Sequence, residues 1–147
     1  MLNESEIRLK AEADGVTHFT TGIAVFRNGK LLVARRSGDD EDLAGEWELP
    51  GGGMDAGETV LDGAVRELFE ETGLKVSKVI STFEGFDYTT PKKPKARQFN
   101  FRVLVKPGNI QLSEHDAYQW ITVDDVPSLK TNKVMEDCLF DAFNISN

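Results

Sequence analysis

The stretch from Gly51 to Leu74, GGGMDAGETVLDGAVRELFEETGL, carries six carboxylic acids (Asp55, Glu58, Asp62, Glu67, Glu70 and Glu71) and one arginine, Arg66. Glu67, Glu70 and Glu71 are spaced by three and four residues, so on a helix they are neighbours on one face. Like charges at those spacings repel by roughly 0.2–0.5 kcal/mol per pair, and a solvated helix face normally intersperses lysines to relieve this. No lysine stands between Arg66 and Lys75. Hard oxygen ligands gathered on one rigid face suit Mg²⁺ or Mn²⁺, and magnesium keeps waters while joining a few carboxylates to substrate phosphates. On this reading the carboxylates repel one another until a cation arrives.

The elements that must hold these groups can be read from their surroundings. Thr59 followed by Asp62 has the form of a helix start, and Gly73 followed by Leu74 the form of a helix end. Between them Leu61, Ala64, Val65, Leu68 and Phe69 recur at helical spacing, which predicts a core-facing stripe with the three glutamates on the face away from it. Upstream, HFTTGIAVFRNGKLLVARR reads as two strands joined by the turn-forming pair Asn28-Gly29. Apolar residues fall on both faces (Phe19, Ile23 and Val25 on one, Ala24 and Phe26 on the other), which predicts a sheet covered by helices on both sides. EWELPGGG reads as a short strand stopped by Pro50. KVSKVISTFEGFDYTT and RQFNFRVLVK read as strands joined by a PKKPKA loop, YQWITVDDVP as a short strand and turn, and TNKVMEDCLFDAF as a closing helix. Residues 1–15 are expected to form a helical turn or to fray. SGDDEDLAG resembles a calcium loop only at Asp40, Asp42 and Gly45; Ala44 and Gly51 fill positions that need ligands, so it reads as a solvated loop. Strands and helices interleave, giving an α/β or α+β class with a mixed sheet.

The whole chain of 147 residues amounts to one domain. Its formal charge of −8 argues against nonspecific binding to nucleic acid or to an anionic membrane. No apolar run approaches the ~18 residues of a membrane span, and MLNESEIRLK lacks the apolar core of a secretory signal. The single cysteine, Cys138, sits in an apolar stretch and reads as a packed small hydrophobe. A cytoplasmic setting is the expectation.

Gly52, then Glu58, then Arg66-Glu67-Leu68-Phe69-Glu70-Glu71-Thr72-Gly73-Leu74 resembles the Nudix box with its fixed positions filled. LLVARRSG and WELPGGG before it, and SEHDAYQWIT after it, are similar to the segments that flank the box in that family. The resemblance implies a single Nudix hydrolase domain over 1–147, an α/β/α sandwich on a mixed sheet. It implies Mg²⁺- or Mn²⁺-dependent hydrolysis of a nucleoside diphosphate linked to another group. Glu67, Glu70 and Glu71 would be the metal ligands, with the Gly51 carbonyl as a further one. Glu58 and Arg66 would hold the loop against the helix, Arg66 as an ion-pair partner. The general base is left open between Glu114 and a box glutamate, and His115 beside Glu114 is expected to be a hydrogen-bonding loop residue.

For the substrate, the resemblance points to the Gly52 backbone and to an arginine at the end of the second strand. Arg35 and Arg36 alternate in direction, and Arg36 is expected to face inward. Lys92, Lys93, Lys95 and Arg97 form a basic loop that a phosphate could meet, or a plain solvated loop. Trp47, Phe86 and Tyr88 could stack on a base or belong to the core. Pro91 stands near the position that marks an ADP-ribose branch. The small-molecule substrate is expected to be a nucleoside triphosphate ahead of ADP-ribose or a nucleotide sugar. A non-catalytic nucleotide sensor is disfavoured because such modules lose box carboxylates, and an RNA role is disfavoured by the acidic charge. Oligomeric state is left open, a homodimer included.

Overall fold

Asn28 and Gly29 turn the chain back on itself with φ of 53° and 76°, the pair of left-handed residues that a two-residue hairpin turn requires. They join β1 (His18–Arg27) to β2 (Lys30–Arg36). The computed structural model describes residues 3–38 and 44–145, so the acidic loop around Asp40 and Asp42 lies outside the described residues.

β2 pairs with β1 only near the turn, Phe26 with Leu31 and Arg27 with Lys30. Along Leu31–Arg36 it pairs as well with β6 (His115–Ile121), and past the turn, having diverged from β1, it meets the two-residue β3 (Trp47–Glu48). Pro50–Gly53 fills the space it leaves. Ile23 N–H donates to the Pro50 carbonyl at 2.8 Å, and Thr21 N–H to the Gly52 carbonyl at 2.9 Å. On its other side β1 runs parallel to β5 (Lys93–Val105), which pairs antiparallel with the edge strand β4 (Val76–Thr90). The result is a mixed six-stranded sheet.

The two faces of β1 enter two cores, as the alternation predicts. Ile23 and Val25 pack with Phe101 and Val103 beneath α2 (Val60–Thr72), with Phe19 beside them. Ala24 and Phe26 pack against Cys138, Leu139 and Ala142 of α3 (Lys133–Phe143). This is an α/β/α sandwich, and a fully buried leucine such as Leu68 or Leu139 contributes about 1.5–3 kcal/mol. Cys138 is a packed core residue whose thiol burial pushes up to about 12.

The N-terminal segment does not fray. It forms α1 (Glu4–Ala13), capped by Asn3, whose side chain accepts from Glu6 N–H at 3.0 Å. Ala11 is fully buried and Ile7 packs on the α2 side of the sheet. The loop expected over PKKPKA is shorter: Thr90 pairs with Lys93, and Lys93–Ala96 continue β5, leaving Pro91 and Lys92 at the turn. Lysine stems can lie along a peripheral strand while their ammonium heads reach water.

Arg102 of β5 is a buried cation. Its guanidinium donates to the carbonyls of Asp141, Ala142 and Asn144, at 2.8, 2.9 and 3.2 Å, and lies over the Phe83 ring. It thus caps the C-terminus of α3, where free carbonyls and the helix dipole favour a positive charge.

Candidate active site

Thr59 caps α2 by accepting from Asp62 N–H at 3.1 Å, and Gly73 ends it at φ 76°, both as the sequence predicts. The buried face is rotated from the expected stripe. Val60, Gly63, Ala64, Leu68, Glu71 and Thr72 are buried, while Val65 and Phe69 are exposed. Gly63 leaves room that Met54 fills, since a Cβ there would lie 2.5 Å from the Met54 sulfur. The rotation splits the three glutamates. Glu70 is exposed, Glu67 is half-buried, and Glu71 is 4% exposed.

Arg66 organises the exposed side of this group. Its Nε and Nη2 donate to the two Glu58 carboxylate oxygens at 2.8 and 2.9 Å, and Nη2 also to the Gly53 carbonyl at 3.0 Å. Nη1 donates to Glu67 at 3.0 Å and to Glu70 at 3.1 Å. The hydrogen bond from Arg66 holds the Glu58 carboxyl below its usual range, and the same bond holds Arg66 more firmly protonated. The loop is therefore clamped to the helix by a side chain that also neutralises two of the candidate ligands. Burial raises the Glu67 carboxyl, a trend that Arg66 opposes and that the charges of Glu70 and Glu114 reinforce. Glu114, exposed on the turn ahead of β6, thus acts electrostatically on Glu67 across the site.

Glu71 belongs to a second, buried network. It accepts from Gly51 N–H at 2.9 Å. Burial pushes its carboxyl up to about 8, against the Gly51 hydrogen bond and the nearby His115, with Glu48 and Glu67 adding to the rise. Glu48 of β3 joins the pieces: its Oε1 accepts from Arg36 Nε at 3.0 Å and its Oε2 meets His115 Nε2 at 2.9 Å. Burial alone would lower the His115 imidazole, but the Glu48 hydrogen bond and the Glu71 charge outweigh it and the net shift is upward. His115 is hydrogen-bonded, as expected, but it is buried and opens β6 where a loop residue was expected. Glu48 was not anticipated as a site residue; its signal lay in WELPGGG, where strand alternation puts Glu48 on the face opposite Trp47.

The glycines of the loop differ in what they allow. A Cβ on Gly51 would lie 1.9 Å from the Thr21 carbonyl oxygen, and one on Gly52 would lie 2.5 Å from the Glu67 carboxylate. Gly53 meets nothing within 4 Å. The backbone of β1 therefore demands glycine at position 51, while glycine at 52 leaves Glu67 where it lies.

A cleft of about 750 Å³ opens beside this network. Arg36, Glu48, Trp47, Tyr88, Lys92 and Lys93 are among its walls. Arg36 faces the cleft. Arg35 turns the other way, pairing with Asp116 at 2.7 Å and lying over the Trp47 ring at 5.7 Å. The basic stretch divides. Lys92 and Lys93 line the cleft, whereas Lys95 donates to the Asp14 carbonyl and Arg97 binds the Asp14 and Asp87 carboxylates. The cleft walls do not include Glu67, Glu70 or Glu71; Glu48, which does line the cleft, reaches the helix through its charge, which raises the Glu71 carboxyl.

A profile of the NUDIX domain matches residues 16–141. The chain belongs to the NUDIX family. An RNA pyrophosphohydrolase of Bartonella quintana is 31% identical to this Nudix chain over an alignment of 134 positions, gaps included, that covers 74% of this chain and 78% of the relative. A Mycobacterium tuberculosis protein named "Putative 8-oxo-dGTP diphosphatase 2" is 36% identical over 104 residues, 70% of this chain and 72% of the relative. Among solved structures, a MutT NUDIX hydrolase from Burkholderia pseudomallei superposes with a TM-score of 0.72 at 24% identity, covering 84% of this chain and 96% of that one. As a Nudix hydrolase the protein acts on pyrophosphate bonds, and the family generally needs a divalent metal ion.

The residues can be tested against such an ion. Among the described residues no three acidic, histidine or cysteine side chains are gathered closely enough to hold one, so the expected ligand trio is not assembled. Arg66 gathers Glu67 and Glu70, while Gly51 N–H holds Glu71 in a separate network. The donor set nevertheless fits. It is all oxygen, Glu67 and Glu70 already converge on one positive charge, and Gly52 lacks the Cβ that would displace Glu67.

Proposed function

We propose that this Nudix enzyme hydrolyses nucleoside triphosphates with Mg²⁺ or Mn²⁺, releasing pyrophosphate and a nucleoside monophosphate. The observation that carries the reading is the cleft of about 750 Å³, a volume suited to a small ligand, joined to the acidic helix through Glu48. Its aromatic wall supports base stacking: Phe86 and Tyr88 lie with ring centroids 5.8 Å apart, beside Trp47. Arg36, Lys92 and Lys93 give it positive groups for phosphate in a protein of net charge −8.

Glu67, Glu70 and Glu71 would hold the cation. The Gly51 carbonyl joins them: the carbonyls of Pro50 and Gly52 face β1, and alternation along an extended chain turns that of Gly51 toward the side where its N–H meets Glu71. When bound, the cation supplies Lewis-acid polarisation of the phosphoryl oxygens and a more acidic attacking water. Glu58 and Arg66 keep the loop and helix in register, and the Gly52 backbone borders the phosphates. Glu114 accepts the proton of the attacking water, a role its exposure and its electrostatic reach to Glu67 support. No helix among the described residues is long and apolar enough to cross a membrane. The assignment of a nucleoside triphosphate substrate supports a cytoplasmic setting.

Hydrolysis at the 5′-triphosphate end of RNA is a second reading, favoured by the name of the Bartonella relative and opposed by the net charge. The test is a panel of ordinary and oxidised-base nucleoside triphosphates, ADP-ribose, nucleotide sugars and a 5′-triphosphorylated oligoribonucleotide, assayed with Mg²⁺ and with excess EDTA. Pyrophosphate release from free triphosphates, abolished by EDTA with the fold intact, is expected. Turnover confined to ADP-ribose, nucleotide sugars or the oligonucleotide overturns the substrate assignment, and undiminished turnover in EDTA overturns the metal.

A further inference from the structure

Helix α1 lies ahead of the span that matches the NUDIX profile, yet it grips the loop that carries the box. Glu4 Oε1 accepts from the backbone N–H of Val60 at 2.8 Å, satisfying one of the free donors at the start of α2. A carboxylate there also meets the positive end of the helix dipole. Arg8 Nη2 donates to the Glu58 carbonyl at 2.6 Å, while its Nε binds Glu4 Oε2 at 2.5 Å and its guanidinium lies over the Phe19 ring. Glu58 is thus held twice, its carbonyl by α1 and its carboxylate by Arg66. Arg66 in turn holds Glu67 and Glu70.

The other end of α1 is fixed independently. Asp14 accepts from Arg97 at 3.0 Å through its carboxylate and from Lys95 through its carbonyl, and Thr17 N–H donates to the Lys95 carbonyl at 2.8 Å. An isolated helix of ten residues is marginal in water. Bound at both ends, with Ile7 and Ala11 in the core, α1 becomes a brace between β5 and the box loop.

We propose that Glu4 and Arg8 are positioning residues for the metal site: through Val60 and Glu58 they fix the Arg66 clamp, and with it the spacing of Glu67 and Glu70. The proposal rests on the assignment of those glutamates as metal ligands. A cation must draw Glu67 and Glu70 away from Arg66. The Arg66–Glu58 pair then keeps the loop in register only if Glu58 is itself anchored, and Arg8 supplies that anchor.

The test uses the full chain with Arg8→Met, which keeps an apolar stem over Phe19, and Glu4→Ala. Binding of Mn²⁺ alone is read from the free-ion signal in electron paramagnetic resonance, Val60 amide exchange is read in chelator, and kcat and KM are read at saturating metal. Both variants are expected to weaken Mn²⁺ binding about tenfold, the low end for groups that support metal ligands. They should also speed exchange at Val60 and lower kcat with KM unchanged. Glu4→Gln retains an acceptor for Val60 N–H and should recover most of the affinity. Leu9→Ala, exposed on the same helix, should match wild type in every readout. Folded Arg8→Met and Glu4→Ala proteins with wild-type Mn²⁺ affinity and kcat overturn the proposal, as does an equal loss in Leu9→Ala. Should Arg8→Met not fold, Glu4→Ala decides alone, because it leaves Ile7 and Ala11 packed. Glu67→Gln separates the two ideas: if it binds Mn²⁺ as wild type does, the ligand assignment on which the proposal rests has failed, whereas weakened binding in Glu67→Gln beside wild-type binding in Arg8→Met and Glu4→Ala refutes the brace alone.

Discussion

Glu71 is a carboxylate that the fold buries before any cation is present, and this makes its replacement predictable in sign. In Glu71→Gln the titrating group is gone while one acceptor for Gly51 N–H remains. The folded carboxyl is pushed up to about 8 from an ordinary 4.5. A group raised in this way contributes stability fully below pH 4.5 and loses it as pH climbs through 8. At neutral pH the interval from 4.5 to 7, roughly 2.5 in pH at ~1.4 kcal/mol for each, is worth about 3 kcal/mol. For a chain of 147 residues that is on the order of 10 °C in Tm. In excess EDTA, Glu71→Gln should therefore melt higher than wild type at pH 7, and the advantage should shrink to nothing near pH 4.5. His115 titrates close by, so the readout is the difference between the two melting profiles from pH 4.5 to 8. With saturating Mg²⁺ the order should reverse, because binding to the folded state stabilises wild type more. Turnover of the variant should fall by roughly 10²–10⁴, the equivalent of several kcal/mol of charge stabilisation. A variant less stable than wild type in EDTA at pH 7, or a difference that does not vary with pH, would refute the reasoning.

Glu114→Gln should lower kcat by about 10²–10⁴ with metal affinity unchanged, and an unaltered rate removes Glu114 as the base. The two loop glycines should separate by phenotype. Gly51→Ala drives a Cβ into the Thr21 backbone and should cost folding, seen as loss of a cooperative melt. Gly52→Ala meets only the flexible Glu67 side chain and should melt near wild type while losing activity and Mn²⁺ affinity. Arg102→Met should destabilise by about 2–4 kcal/mol in urea unfolding, because it leaves several carbonyls at the end of α3 without their donor, with kcat per folded molecule unchanged.

What the sequence disclosed follows the reach of local chemistry. The Asn28-Gly29 turn, the Thr59 and Gly73 caps and the two-sided burial of β1 depend on neighbours in the chain, and each was legible. The rotation of α2 was not, because Val65 and Phe69 are as apolar as the residues that are buried. What decided it is tertiary: Val60, Ala64 and Leu68 pack on the sheet, Gly63 admits Met54 of the loop, and Thr72 closes its own hydroxyl on the Leu68 carbonyl at 2.7 Å. The same rotation hid the inequality of the glutamates, which equal spacing had presented as equivalent. Glu48 was invisible as a partner of both Arg36 and His115, since that meeting depends on β2 lying between β3 and β6. Alternation could put Arg35 and Arg36 on opposite faces but could not say which of them meets the cleft, and the division of the basic stretch depends on where α1 ends.

The outer strand of the sheet has a bearing on how the protein behaves in a crowded solution. β4 runs for 15 residues, no strand among the described residues pairs with its far rim, and it exposes Val79 and Ile80, features that would invite a second chain to add as another strand. Its pairing slips between Val76 and Lys78, Val79 and Ser81, Phe83 and Phe86, and Tyr88 and Thr90. The slip at Phe83 is built in: a Cβ on Gly85 would lie 2.1 Å from the Gln98 carbonyl oxygen, and Asn100 donates to the Glu84 carbonyl at 2.7 Å. Each irregularity bends and twists the strand, so the rim offers short, differently aimed runs of N–H and C=O in place of one straight template. The hairpin whose tip reaches the cleft therefore lacks the long, regular edge on which a second chain adds most easily.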